Sequence, residues 1–299
     1  MNGIFTALLT PFNADYSINE KSLEKLIKYN LDSGVHGFYV GGSTGESMLM
    51  SKEERKRIFA LVKNCSGGAV PLIAHVGAIS TDDALDMARE AKKLGYDAVS
   101  AVAPFYYSFP LQAIINYYTD IAREADLPVY IYNFPAGNGF GLTPDVAEKI
   151  FSMDSHFAGI KHTSNDLFAI RQFKNRIRDI TVFNGYDEIC LAGLSMGADG
   201  AIGSTYNFMG KKFVRLYNAF RSGDLELAEK LQAEACRIIE VMCRFGVFQC
   251  EKEVLTLMGI DMGPCRRPFL PLDDNGKREM KNLLELILQR RFDMIKFHQ

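Results

Sequence analysis

The chain has 299 residues, 47% apolar and 23% charged, with 34 basic against 36 acidic side chains and a formal net charge of −2. A chain of this length buries about three quarters of its unfolded surface, which excludes a disordered, collagenous or disulfide-stapled class. The balanced charge excludes an electrostatic footprint for nucleic acid or an anionic membrane, so a ligand must be held by local chemistry.

No apolar run approaches the roughly 18 residues of a spanning helix. The start, Met1-Asn2-Gly3-Ile4-Phe5, lacks the basic and apolar pattern of an export signal, so a soluble cytoplasmic protein is expected. The cysteines at 65, 190, 236, 243, 250 and 265 include no CxxC pair, so neither a zinc site nor a redox motif is indicated. Cys236, Cys243 and Cys250 recur every seventh residue, and the spacing predicts one buried helical stripe.

In chain order, short stretches rich in Val, Ile, Ala and Tyr predict strands at 4–9, 37–40, 71–75, 98–102, 129–132, 158–161, 181–184 and 200–202. Helical segments lie between them, opened for example by the capping box Ser51-Lys52-Glu53-Glu54 and by Thr81-Asp82-Asp83. Gly34, Gly95 and Gly197 fall at helix C-caps. Eight strand-helix units match a (β/α)8 TIM barrel over residues 1–210 better than an open sheet. Residues 211–299 read as a helical extension packed on the barrel, turning at Arg221-Ser222-Gly223-Asp224 and broken again between Gly263 and Asp274.

A barrel directs attention to the C-terminal ends of its strands. Most lysines sit in charged helical contexts, but Lys161 closes the apolar strand Phe157-Ala158-Gly159-Ile160. Burial there disfavours the charged amine. A free lysine is about 0.04% neutral at pH 7, and lowering its pKa by three units raises that fraction about a thousandfold, as Schiff-base chemistry requires. The plainer alternative is a lysine paired with Asp166.

Tyr132 ends another strand and offers a phenol for proton transfer, against the alternative of a core tyrosine with a satisfied hydroxyl. Tyr39, Tyr106 and Tyr107 add to the tyrosines at this face. Gly41-Gly42-Ser43-Thr44-Gly45-Glu46 lacks the lysine of a P-loop and the spacing of a dinucleotide fingerprint, so its amides and hydroxyls suit a small carboxylate. Glu46 is expected to fasten that loop. Asp187 and Glu188, beside Gly185, offer acceptors for a polyol, although Asp187 also competes as the N-cap of a helix from Ile189. Neither carboxylate has a histidine at metal-ligand spacing, and His75 reads as a hydrogen-bonded core residue.

Together these residues resemble the pyruvate-dependent Schiff-base aldolases, the family of dihydrodipicolinate synthase and N-acetylneuraminate lyase. The resemblance rests on Tyr39-Val40-Gly41-Gly42-Ser43-Thr44-Gly45-Glu46, Pro104-Phe105-Tyr106-Tyr107, Tyr132-Asn133, Lys161-His162-Thr163-Ser164, Asn184-Gly185-Tyr186-Asp187-Glu188 and Gly203-Ser204-Thr205-Tyr206-Asn207. It runs from residue 3 to at least Pro271 and is closer on the lyase side. Gly137 stands where the synthases carry a dicarboxylate-binding arginine and where lyases commonly carry a larger apolar residue.

The resemblance implies cleavage of N-acetylneuraminate to pyruvate and N-acetylmannosamine by a cytoplasmic homotetramer, without metal or organic cofactor. It implies that Lys161 forms the Schiff base, Tyr132 transfers the proton, and Ser43 and Thr44 hold the pyruvate carboxylate. It further implies that Tyr106 reaches a neighbouring subunit's site, and that Thr163, Gly185, Asp187, Glu188, Gly203 and Ser204 serve the sugar tail. Two alternatives stay open: a sibling aldolase or dehydratase for another 2-keto-3-deoxy acid, and a non-catalytic sugar-acid-binding module.

Overall fold

The computed structural model describes residues 1–289; the end of the helical extension, from residue 290, lies outside the described residues. Within them the strands are β1 Gly3–Ala7, β2 Gly37–Val40, β3 Leu72–His75, β4 Ala98–Val102, β5 Val129–Asn133, β6 Phe157–His162, β7 Thr181–Asn184 and β8 Gly200–Gly203. All pair in parallel with their sequence neighbours, and β8 closes on β1, giving the TIM barrel expected. The helices in chain order are α1 Glu20–Asp32, α2 Lys52–Ser66, α3 Thr81–Lys93, α4 Leu111–Ala125, α5 Pro135–Asn138, α6 Pro144–Phe151, α7 Leu167–Arg176 and α8 Cys190–Ser195. They continue with α9 Tyr206–Ser222, α10 Leu225–Cys243, α11 Val247–Leu257 and α12 Asp274–Gln289. No described helix is long and apolar enough to cross a membrane.

Strand alternation divides the core in two. Ile4, Phe38, Ile131 and Ile160 face outward into the layer shared with the helices, while Phe5, Tyr39, Tyr130, Tyr132, Phe183 and Ile202 fill the barrel. Space for rings that large comes from missing side chains: a Cβ on Gly37 would lie 2.1 Å from Phe5, and one on Gly159 2.5 Å from Tyr130. The aromatic filling supports, from below, whatever ends the strands at the mouth.

Local signals work as read. Ser51 and Glu54 form a reciprocal capping box, and Gly223 takes φ +84° between α9 and α10. The cysteine stripe does not exist. Gly246, at φ +100°, separates α10 from α11, so Cys236 and Cys243 lie on one helix, half-buried and exposed, and Cys250 is buried on the next. A seven-residue period carries a face only while one helix continues.

The C-terminal segment is pinned to the loop after β2 by charge. Glu46, held at φ +59°, accepts the Arg266 amide at 2.6 Å and pairs with Lys252 of α11 at 2.6 Å, the two side chains being 0% and 3% exposed. The Arg266 guanidinium also donates to the carbonyls of Leu49 and Tyr16 and pairs with Glu54. Removing one partner of a buried pair leaves an uncompensated charge. Lys252→Ala should therefore lower the unfolding free energy by about 3–5 kcal/mol in urea titration; a loss below about 1 kcal/mol would mean that water reaches Glu46.

Candidate active site

At the C-terminal ends of the strands opens a cavity of about 410 Å³. Ser43, Thr44, Tyr132, Lys161, Thr163, Gly185, Asp187, Glu188 and Ser204 line it, joined by Phe134, Tyr186 and Thr205 and by Ile239, Cys243, Val247 and Phe248 from the helical extension. The residues singled out in the sequence are thus brought to one place, with two exceptions. Gly203 stands behind the wall rather than in it, and Tyr106 is 85% exposed, its ring edge-on to Tyr107 at 4.9 Å.

Lys161 and Tyr132 are register partners on adjacent strands, so both side chains enter the barrel mouth. The Lys161 amine lies 4.2 Å from the centre of the Tyr39 ring and 4.1 Å from that of Tyr132, and the residue is 4% exposed. Asp166 is not its partner, because that carboxylate accepts the Ala169 amide and caps α7. Burial brings the amine down to about 7, against a smaller upward pull from Asp187. About half of it is then neutral at pH 7.

Tyr132 is buried, which raises its pKa, while the hydroxyls of Ser43 and Thr163 act in the other direction. The phenol is therefore protonated at neutral pH and faces two hydroxyls able to relay a proton. Tyr39 donates to Ser100 at 3.0 Å and serves as a wall. Beneath the glycine loop, Val102 donates its amide to His75 Nε2, leaving Nδ1 to donate to the Gly41 carbonyl at 3.1 Å. Arg55 grips the His75 carbonyl at 2.6 Å. Burial and the cations Arg55 and Lys161 hold His75 neutral, a fixed strut under the loop. Above it the turn bonds Gly45 and Glu46 back to the carbonyls of Gly42 and Ser43. The amides of Ser43 and Thr44 meet no acceptor among the described residues, which suits a ligand carboxylate.

Asp187 does not cap a helix from Ile189. Its Oδ2 accepts the amide and hydroxyl of Thr205 at 2.9 and 2.7 Å, and α8 begins without a side-chain cap. The long-range partner outcompetes the local one. Burial raises Asp187 to about 6, opposed by Thr205. The Tyr206 hydroxyl lies close enough to interact with the Asp187 carboxylate, and the Thr163 hydroxyl with that of Tyr132. A Cβ on Gly203 would strike Asp187 Oδ1 at 1.8 Å, and one on Gly185 would strike Thr163 Oγ1 at 1.9 Å. Both glycines make room for polar side chains that line the cavity.

Sequence reasoning missed Phe134, whose ring lies parallel to Tyr132 with centroids 5.6 Å apart; its position two residues beyond that tyrosine was the available signal. It also missed the wall from α10 and α11, for which no local signal exists. Glu251 of α11 is fully buried, with burial and the Asp187 charge raising its pKa and Ser204 lowering it. Among the described residues no group of three His, Cys, Asp or Glu side chains is placed to hold a metal ion.

The model of the Dihydrodipicolinate synthetase family matches residues 1–287. An N-acetylneuraminate lyase of Rhizobium meliloti (strain 1021) is 42% identical over 288 residues, 96% of each chain. That of Escherichia coli (strain K12 / DH10B) is 40% identical over 293 residues, 97% of this chain and 98% of the relative. Among solved structures, N-acetylneuraminate lyase from Fusobacterium nucleatum superposes with a TM-score of 0.91 at 36% identity, covering 96% of this chain and 98% of that one.

The Lys161 geometry has a thermodynamic signature that needs no substrate. Between pH 7 and about 10.4 the unfolded chain holds a proton on this lysine that the folded chain lacks, so stability must rise with pH across that window. Lys161→Met should abolish that contribution and stabilise the fold most below pH 7, by up to roughly 5 kcal/mol. Parallel urea titrations at pH 6 and pH 10 measure it; equal differences at both pH values would show a lysine that keeps its ordinary pKa.

Proposed function

The chain belongs to the dihydrodipicolinate synthetase family, and from that premise we propose that it is an N-acetylneuraminate lyase, cleaving the sugar acid reversibly to pyruvate and N-acetylmannosamine. The observation that carries the reading is Lys161: a buried amine poised near neutrality, in register with a phenol and beside a loop with free amides. The oxygen-bearing side chains of Thr163, Asp187, Glu188 and Ser204, gathered in one cavity, support a polyhydroxylated tail rather than a second carboxylate.

In this mechanism neutral Lys161 attacks the C2 ketone of the open-chain sugar and water leaves, giving an iminium. Tyr132 takes the C4 hydroxyl proton while passing its own to the substrate carboxylate at Ser43. The C3–C4 bond breaks with its electron pair entering the iminium, C4 becomes the aldehyde of N-acetylmannosamine, and a pyruvate enamine remains. Protonation at C3 and hydrolysis release pyruvate and restore the amine. No metal or organic cofactor takes part. Ser43 and Thr44 fix the carboxylate and thereby the orientation of C2. Thr163, Asp187, Glu188 and Ser204 hold the tail, with Gly185 and Gly203 giving Thr163 and Asp187 their room.

The exposed Tyr106 fits a cytoplasmic homotetramer in which it completes a neighbour's hydroxyl relay. Light scattering tests that assembly, and an active monomer would remove Tyr106 from the relay.

Pyruvate release from N-acetylneuraminate, with 2-keto-3-deoxygluconate in parallel, tests the activity. Lys161→Ala should abolish release and borohydride trapping of pyruvate, and Tyr132→Phe should lower kcat about 10²- to 10⁴-fold. Release from 2-keto-3-deoxygluconate alone would transfer the same chemistry to a sibling aldolase. Failure of wild-type trapping would favour a binding module.

A further inference from the structure

Gly137 is exposed and does not line the cavity, yet the space its side chain would occupy is filled. A Cβ there would lie 2.1, 2.3 and 2.9 Å from the Cε1, Cδ1 and Cζ atoms of Phe134. Every one of those atoms belongs to the ring, so a side chain at position 137 acts on the Phe134 ring before it meets any other group. The Phe134 ring is the cavity wall at this corner and is tilted only 5° from the plane of Tyr132. The turn is closed by the Gly137 amide donating to the Phe134 carbonyl at 3.0 Å, which locks the two residues into one unit.

We infer that Phe134 is the specificity-determining residue at the Tyr132 corner of the cavity, and that Gly137 is glycine so that this ring can occupy its seat. The inference rests on the lyase reading for its substrate, and deepens it. Phe134 presents an uncharged aromatic edge and face to the part of the substrate beside the proton-transfer phenol. That surface accepts the C–H-rich face of a polyol and offers nothing to a second carboxylate. A side chain at position 137 acts first on the seat of this ring.

The test is a double-mutant cycle of Phe134→Ala and Gly137→Leu, read by kcat/KM on N-acetylneuraminate and 2-keto-3-deoxygluconate and by thermal unfolding. Phe134→Ala should change the ratio of kcat/KM between the two sugars by about 10-fold or more, the scale of a lost apolar pocket contact. Gly137→Leu alone should drive the ring out of its seat, lowering kcat/KM for N-acetylneuraminate by about 10- to 200-fold and lowering the melting temperature. In the double variant the leucine has the vacated ring space, so most of the loss in melting temperature and at least about 10-fold in kcat/KM should return.

An unchanged substrate ratio in Phe134→Ala overturns the specificity role. Additive effects of the two substitutions overturn the coupling. Wild-type pyruvate release tests the lyase reading separately; if the wild type acts on neither sugar, that reading fails and takes the specificity role with it, while the cycle in melting temperature still decides whether Gly137 acts through Phe134.

Discussion

A buried amine with no carboxylate at ion-pair distance among the described residues governs the barrel mouth. Lys161 extends from β6 between the rings of Tyr39 and Tyr132, and the nearest local acid, Asp166, is turned away to cap a helix. Rings supply a little attraction to a cation but nothing that replaces water, so the amine relaxes by giving up its proton. That state survives only if water stays out, and the packed, mutually tilted rings of Phe5, Tyr130 and Phe183 exclude it from below. Those rings depend in turn on Gly37 and Gly159 lower in the barrel. A chemical property at the mouth is thus underwritten by missing side chains about a strand's length away.

Around the amine the mouth is divided by hydrogen-bonding capacity. The glycine loop keeps two amides free among the described residues, whereas Asp187 and Thr163 bring oxygens to the same cavity. Helix α11 connects the two ends. Its first residues, Val247 and Phe248, line the cavity, and one turn later Lys252 grips Glu46 at the end of the glycine loop. The helical extension is therefore part of the site.

Much of this was legible in the sequence because the signals are local. Strand ends, capping boxes and glycine turns depend on neighbours within a few residues, and the position of Lys161 at the end of an apolar strand follows from them. What escaped depends on distance along the chain. Glu46 was readable as a fastener, but not its partners Lys252 and Arg266, more than 200 residues away. Asp187 looked like a helix cap until Thr205 offered two donors from the next strand's loop. The cysteine stripe failed for the reverse reason: a regular period was extended across Gly246, where the helix stops. Phe134 was visible, but its importance lies in what Gly137 lacks, and absence at one position acquires meaning only when the neighbour's ring is seen in the vacated space.

Thr205 completes the electrostatics. Asp187 stands at about 6 and Lys161 at about 7, and each charge favours the charged state of the other. Two such groups titrate as a coupled pair. Without the two Thr205 donors the Asp187 carboxyl would rise further and spend more of the neutral pH range protonated. Its pull on Lys161 would then weaken, and the pKa of the amine would fall further. Burial remains the main cause of the lowered Lys161 pKa, and Thr205 acts on it only indirectly, through Asp187. The charge on the β6 amine is in this way coupled to the loop after β8 through the Asp187 carboxylate.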